Sequence, residues 1–452
     1  MKKWHKWTLG IVGLLLVAIV IVVVLMWSTL SILKGTEGLS GKTETIPKTT
    51  AEKLPPLTSG ESDWICWLGA NGDNRSAVTG IIKDWSKGLQ KRWEINYLCQ
   101  EGETAVWSAP VIQGNRLVVC GRDSMNDLTF CLNAQTGRLL WHTSYKAKTI
   151  SNHGSGPRAT PYIDENRVYT FGRAGDLVCW NLFDGQQLWK VNVNDLGGEA
   201  PTWGHASSPL VIDDKVIVQG GGTIRTVAFK KNSGEIAWTS GSGTGGYAAI
   251  RMMSIEGTPA ILAFHSKGLA ALELNDGREL WNVPWVTDYD VNATTPQPFG
   301  DKVVITSGYK VGCALLKVSR QKVNILWKNQ NLAAQHTDPY LINGYLYGYS
   351  GDSYQNRGAF KCLNLETGDE LWSTNDMGWG TCTYVDEHLI CCDIKGNLFL
   401  MKPDPKKFIK VTALPRALGD VSGPVWTKPI IANGLMYVRF KQRLVCYNLV
   451  EK

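Results

Sequence analysis

Apolar positions along the chain fall into two regimes. The first is one uncharged run of 27 residues between Lys6 and Lys34, dense in Ile, Val and Leu. At 1.5 Å per helical residue such a run is long enough to cross a hydrocarbon layer of ~30 Å. Lys2, Lys3 and Lys6 precede it, no small-x-small cleavage site follows it, and the first cysteine is Cys66. This pattern predicts an uncleaved signal anchor, with a cytoplasmic tail at 1–7, a transmembrane helix at 8–33 and the rest outside the cytoplasm. Residues 34–62, rich in Lys, Thr, Glu, Ser, Gly and Pro, have no apolar periodicity. They predict a flexible linker with an r.m.s. span of ~30 Å. The second regime covers 63–452: short runs in which apolar and polar residues alternate, separated by turn residues, which is the period of half-buried strands.

Those runs repeat. Gly137-Arg-Leu-Leu-Trp141, Gly185-Gln-Gln-Leu-Trp189, Gly234-Glu-Ile-Ala-Trp238, Gly277-Arg-Glu-Leu-Trp281 and Gly368-Asp-Glu-Leu-Trp372 share one context, and Trp327 is a member without the glycine. Successive tryptophans are 48, 49, 43, 46 and 45 residues apart, and Trp93 lies 48 before Trp141. A small-x-Pro step opens the leading half of a unit, as at Ser108-Ala-Pro110, Ala159-Thr-Pro161, Ser207-Ser-Pro209, Thr294-Thr-Pro296, Thr337-Asp-Pro339 and Thr427-Lys-Pro429. Four short strands per unit at this period are the signature of a propeller blade. Six units end at Trp141, Trp189, Trp238, Trp281, Trp327 and Trp372, and a seventh near Val411. The last, Gly423 to Leu449, has three strands, and its fourth is expected around Trp93. The sequence thus predicts an all-β, eight-bladed propeller closed by its N- and C-terminal strands, with no open seam.

Composition narrows the function. With 44% hydrophobic and 19% charged residues the chain is not disordered. The net charge is +7, of which three lysines precede the apolar run, and no basic block remains, so nucleic acid is not an implied partner. Eleven cysteines are an odd number. Cys131, Cys179 and Cys362 stand ten residues before their tryptophans, where Ala228 and Ala271 stand in other units, and Cys446 has the same phase. Such residues are small buried hydrophobes too far apart to bond, not a disulfide framework.

The repeat resembles the bacterial PQQ-like (pyrroloquinoline-quinone-like) propeller family, which includes an outer-membrane assembly lipoprotein and the quinoprotein alcohol dehydrogenases. The resemblance covers 63–452, including the opening Asp63-Trp-Ile-Cys-Trp67-Leu-Gly-Ala-Asn-Gly72 and the closing Trp426-Thr-Lys-Pro-Ile-Ile-Ala-Asn-Gly-Leu-Met-Tyr-Val438. It implies the fold and leaves the activity open. The dehydrogenases of the family carry an adjacent-cysteine disulfide against the quinone. Here Cys391-Cys392 sits in a regular strand run, where consecutive side chains point to opposite faces, and the pair reads as ordinary strand cysteines. No residue aligns with a family calcium ligand or catalytic base, and no Cys-x-x-Cys-His attaches a haem. No catalytic, cofactor-binding or metal-binding residue is assigned.

Three residues are candidates for binding at a channel mouth. His205, and His336 with Asp338, precede the first strands of two blades, where loops from several blades converge. The reading is of a membrane-anchored monomer at the periplasmic face of the inner membrane. Its propeller serves as a non-catalytic scaffold for envelope or membrane proteins, in outer-membrane protein assembly, with no cofactor expected. The alternative is a dehydrogenase of alcohols or sugars that requires pyrroloquinoline quinone and calcium and predicts acidic residues converging on one mouth. A sugar- or peptide-binding sensor predicts an aromatic-lined groove instead.

Overall fold

The structure is a computed structural model that describes residues 62–100, 104–150, 153–352 and 357–451, with Val22, 42–49, Leu54 and Gly60. Eight antiparallel four-stranded sheets are arranged as blades, one of them extended by a short fifth strand. In blade one the strands Val111–Gln113, Arg116–Arg122, Asn126–Asn133 and Leu139–Lys146 follow one another from the central channel outward. Blades two to seven repeat this meander over 162–192, 210–240, 251–284, 297–329, 340–374 and 380–414. Blade eight is composite. Lys91–Ile95 supplies its outer strand, antiparallel to Arg443–Asn448 of the chain end, with Leu435–Phe440 and Ile430–Ala432 inside. The eight-bladed, terminally closed architecture predicted from the repeat is therefore observed.

The co-repeating glycine and tryptophan have one physical cause. In seven of the eight blades a tryptophan on the outer strand reaches into the next blade and donates its indole N–H to a backbone carbonyl there: Trp141 to Leu182 at 2.9 Å, Trp189 to Lys231 at 2.9 Å, Trp238 to Leu274 at 3.1 Å. Trp93 does the same to Ala134 at 3.0 Å, across the closure. The glycine of the next motif lies under that ring. Gly185 has φ 74°, and a Cβ there would meet the Trp141 ring at 2.6 Å, so the site demands both the left-handed backbone and the missing side chain. Apolar layers therefore form between neighbouring blades. One joins Tyr169, Cys179 and Trp189 of blade two to Val216, Val218 and Phe229 of blade three.

The cysteines obey the same geometry. Cys131, Cys179, Cys362 and Cys446 are the direct cross-strand partners of Trp141, Trp189, Trp372 and Trp93, and Ala228 faces Trp238 in the same way. All eleven cysteines are buried and unbonded.

Residues 1–21 and 23–41, which include the expected tail and nearly all of the expected helix at 8–33, lie outside the described residues. Among the described residues no helix is long and apolar enough to cross a membrane. Part of the expected linker lies on the propeller: the Glu44 N–H bonds the Asn96 carbonyl at 2.9 Å, and Ile46 packs on the layer under Trp93.

Candidate functional site

Residues 62–82 run through the central channel as a thread. Trp64 exchanges backbone hydrogen bonds with Ile112, on the inner strand of blade one. The Ile65 carbonyl accepts from Ile163 of blade two at 2.8 Å. Arg75–Ser76 forms the fifth strand of blade seven, parallel to its inner strand Gly380–Val385. Ser76 Oγ then donates to the Ile431 carbonyl of blade eight at 2.9 Å, and the Ile82 N–H bonds the Leu449 carbonyl at 2.7 Å. The thread spends its backbone groups on strands of other blades, distant in sequence, as a buried irregular segment must.

Two charged groups hold it. The Lys428 ammonium, buried, donates to the Trp67 carbonyl at 2.6 Å and to Asn74 Oδ1, with the Trp67 ring centroid 3.9 Å away. Burial pulls its pKa down to about 8, against the opposing pull of Asp338. The buried Asp338 carboxylate accepts from Trp67 Nε1 at 2.9 Å and from the Thr295 N–H at 2.7 Å. Burial pushes its pKa up, and Lys428 works against that shift.

Above Trp67 the connections that lead into the inner strands converge on a cup of about 150 Å³. One wall carries Trp107 and Trp426, with ring centroids 4.6 Å apart, and His336, 5.4 Å from Trp426. The other wall carries Trp203, 6.0 Å from Tyr247. Tyr309 and Tyr289 extend that wall to the rim: Tyr289 is 6.1 Å from Trp203 and 5.6 Å from Tyr309, and it is 69% exposed. Ala206, Ser208, Ala249 and Ala293 leave the space between. Both rim tyrosines have left-handed backbones, φ 59° at Tyr289 and 55° at Tyr309. For such bulky residues this costs about 1–3 kcal/mol each. A second cavity of about 300 Å³ adjoins the cup along 66–72, with Trp67 common to both.

The sequence candidates have different fates. His336 lines the cup, and its buried Nε2 has no hydrogen-bond partner among the described residues. Asp338 lies beneath the cup, committed to Trp67 and Thr295. His205 is elsewhere: its ring is 5.0 Å from Phe171 and its Nε2 3.2 Å from Asn194 Oδ1, between the connections of blades two and three. Burial, followed by the nearby Arg158 charge, lowers the His336 pKa to about 3 and that of His153 to about 4, so both imidazoles are neutral at neutral pH. The cup's aromatic residues were not singled out from sequence. A signal was present, because Trp107, Trp203 and Trp426 fall outside the blade phase; Trp107 and Trp426 stand immediately before Ser108-Ala-Pro110 and Thr427-Lys-Pro429, and Trp203 four residues before Ser207-Ser-Pro209.

The cup does not suit a calcium–quinone pair. Calcium takes about 6–8 oxygen ligands, mostly carboxylates and carbonyls, whereas no Asp or Glu is among the described residues lining the cup. Among the described residues no group of three or more His, Cys, Asp or Glu could hold a metal. Cys391 and Cys392 lie buried within the strand His388–Asp393, not in the cup.

The family model described as outer membrane protein assembly factor BamB matches residues 125–374, more than half of the chain. The chain belongs to the BamB family. It is 24% identical over 282 residues to the BamB of Shewanella oneidensis, covering 59% of this chain and 65% of that protein. The crystal structure of BamB from Moraxella catarrhalis superimposes with a TM-score of 0.56 at 16% identity, over 80% of this chain and all of that one. The quinohemoprotein alcohol dehydrogenase of Comamonas testosteroni superimposes with a TM-score of 0.62 at 11% identity, over 86% and 81%. At these identities the structural likenesses establish a shared PQQ-like propeller fold and nothing of the chemistry.

Proposed function

We propose that this BamB-family propeller is a non-catalytic, monomeric scaffold for envelope proteins that works in outer-membrane protein assembly. In this reading residues 8–33 hold it at the periplasmic face of the inner membrane, and it uses neither quinone nor calcium. The family match over 125–374 carries the proposal. That no carboxylate is among the described residues lining the cup supports its non-catalytic part. Ile236, Ile325 and Leu371 are exposed on the outermost strands of three blades, where a crosslinker reaches any protein docked on the disc's edge.

The test is photo-crosslinking from positions 236 and 371 of the full chain in its native envelope. Crosslinks to proteins of outer-membrane assembly are expected, and crosslinks confined to other proteins would remove that assignment. Dye-linked oxidation of an alcohol or sugar by the full chain with pyrroloquinoline quinone and calcium would overturn the non-catalytic reading. Alkaline carbonate should leave the chain in the membrane fraction; its release would overturn the anchor.

A further inference from the structure

The aromatic cup stands on geometry that the scaffold reading does not use. Its volume of about 150 Å³ matches the size at which an engineered cavity admits one benzene molecule, so it is scaled to a single six-membered ring. Aromatic rings line it in two groups, Trp107 with Trp426 and Trp203 with Tyr247. A ring held by such groups is either flat and aromatic or a sugar whose C–H faces lie on the indoles.

The polar groups decide between the two. Ser208 Oγ accepts from the Thr160 N–H and keeps its own proton to donate. The Tyr247 hydroxyl accepts from the Trp203 N–H and likewise has a proton to give. The neutral His336 adds its buried Nε2, which has no hydrogen-bond partner among the described residues. Hydroxyl and imidazole groups spread around the cup can both donate and accept, and this matches a ring bearing several hydroxyls. A bare aromatic ring would leave them unmet. Arg158 supplies the only charge among the described residues lining the cup, and no carboxylate lines it. A guanidinium beside an aromatic floor and two neutral imidazoles suits a carboxylate on that ring. The left-handed backbones of Tyr289 and Tyr309 hold two further aromatic side chains at the rim, where a second ring would emerge.

We infer that the cup binds a sugar ring bearing a carboxylate, a hexuronate-type unit, free or at the end of a glycan chain. The inference rests on the cup alone, so its failure leaves the scaffold proposal where it stands.

The experiment titrates the full chain in detergent with glucuronate, glucose and benzoate, followed by tryptophan fluorescence and calorimetry. Saturable binding of glucuronate is expected, about tenfold tighter than glucose, which is what one charge-assisted hydrogen bond is worth. Arg158→Gln should bring the two sugars to parity without abolishing glucose binding. Tyr289→Ala, at an exposed position that leaves the core intact, should weaken a glucuronate-terminated oligosaccharide more than free glucuronate if the site reads a chain end, and both equally if it reads the free acid. Benzoate binding as tight as glucuronate, or no saturable sugar binding by a chain with an unchanged melting temperature, would overturn the inference. So would an aromatic peptide that binds the same cup more tightly than any of the sugars.

Discussion

Buried imidazoles give this propeller an acid-sensitive core. Burial depresses the pKa of His205 to about 4 and of His265 to about 4, alongside His336 and His153 in the cup. An unfolded histidine titrates near ~6.5. The unfolded chain therefore takes up these protons first as pH falls, and their contribution, intact above about pH 6.5, is lost on the way down to about pH 4. Asp127 and Asp338, whose pKa values burial raises above the ordinary carboxylate range, act in the opposite direction as pH falls. The histidine part is thus best read as a difference. Melting temperatures of the parent and of His205→Gln, taken across that window, should converge as pH drops, because the variant has lost the proton sink. Parallel curves would count against the assignment. The blade tryptophans set a larger scale. Trp189 is 8% exposed and bonded to Lys231, so Trp189→Ala should cost about 3–5 kcal/mol in denaturant melts. A loss under about 1 would contradict the interlock.

At the scale of elements, legibility followed periodicity. The blade strands were readable because the motif that spaces them also does the packing: Gly185 lies under Trp141, and Cys179 stands opposite Trp189. The channel thread was not readable, although Asp63 to Gly72 carries part of the family resemblance. Its contacts run to Ile112, Asp338, Ile431 and Lys428, each far along the chain and none at a repeating interval. For the same reason the candidates His336 and Asp338 could be placed near a mouth, but neither the bond of Asp338 to Trp67 nor the place of His336 in the cup's lining could be read. His205 carried the same local sequence signal and went into a loop brace. The thread yields its own prediction. Lys428→Met keeps much of the side chain's bulk but strips the donors from the Trp67 carbonyl and Asn74, and about 1–3 kcal/mol should be lost for the orphaned groups. Hydrogen exchange should quicken over residues 62–82 while the outer strands of blades three to six keep their protection. Uniform quickening would mean that the thread and blades open as one unit.

Closure is the property of the whole molecule. Seven of the eight blades are each completed by contiguous chain, but the eighth needs Lys91–Ile95 to find Arg443–Asn448 across almost the full length of the propeller. Pairing so distant in sequence carries the largest entropy cost of any contact in the ring. Trp93 reinforces it twice, through the bond to Ala134 of blade one and through Tyr437, whose ring is 5.9 Å away in its own blade. Trp238 makes the equivalent bond to Leu274 within an uninterrupted part of the ring. Both tryptophans are nearly buried, so alanine at either should cost a similar amount, about 3–5 kcal/mol. The consequences should differ in kind. Loss of Trp238 weakens one layer between blades whose edges stay paired, and the chain should keep the parent's association state. Loss of Trp93 loosens the seam, and the freed edge at Arg443–Asn448 is then available to another molecule. Light scattering behind size exclusion should therefore show concentration-dependent association for Trp93→Ala and none for Trp238→Ala. If both variants keep the parent's association state at equal loss of stability, the terminal strand is merely one more blade edge and the ring is held by its layers alone.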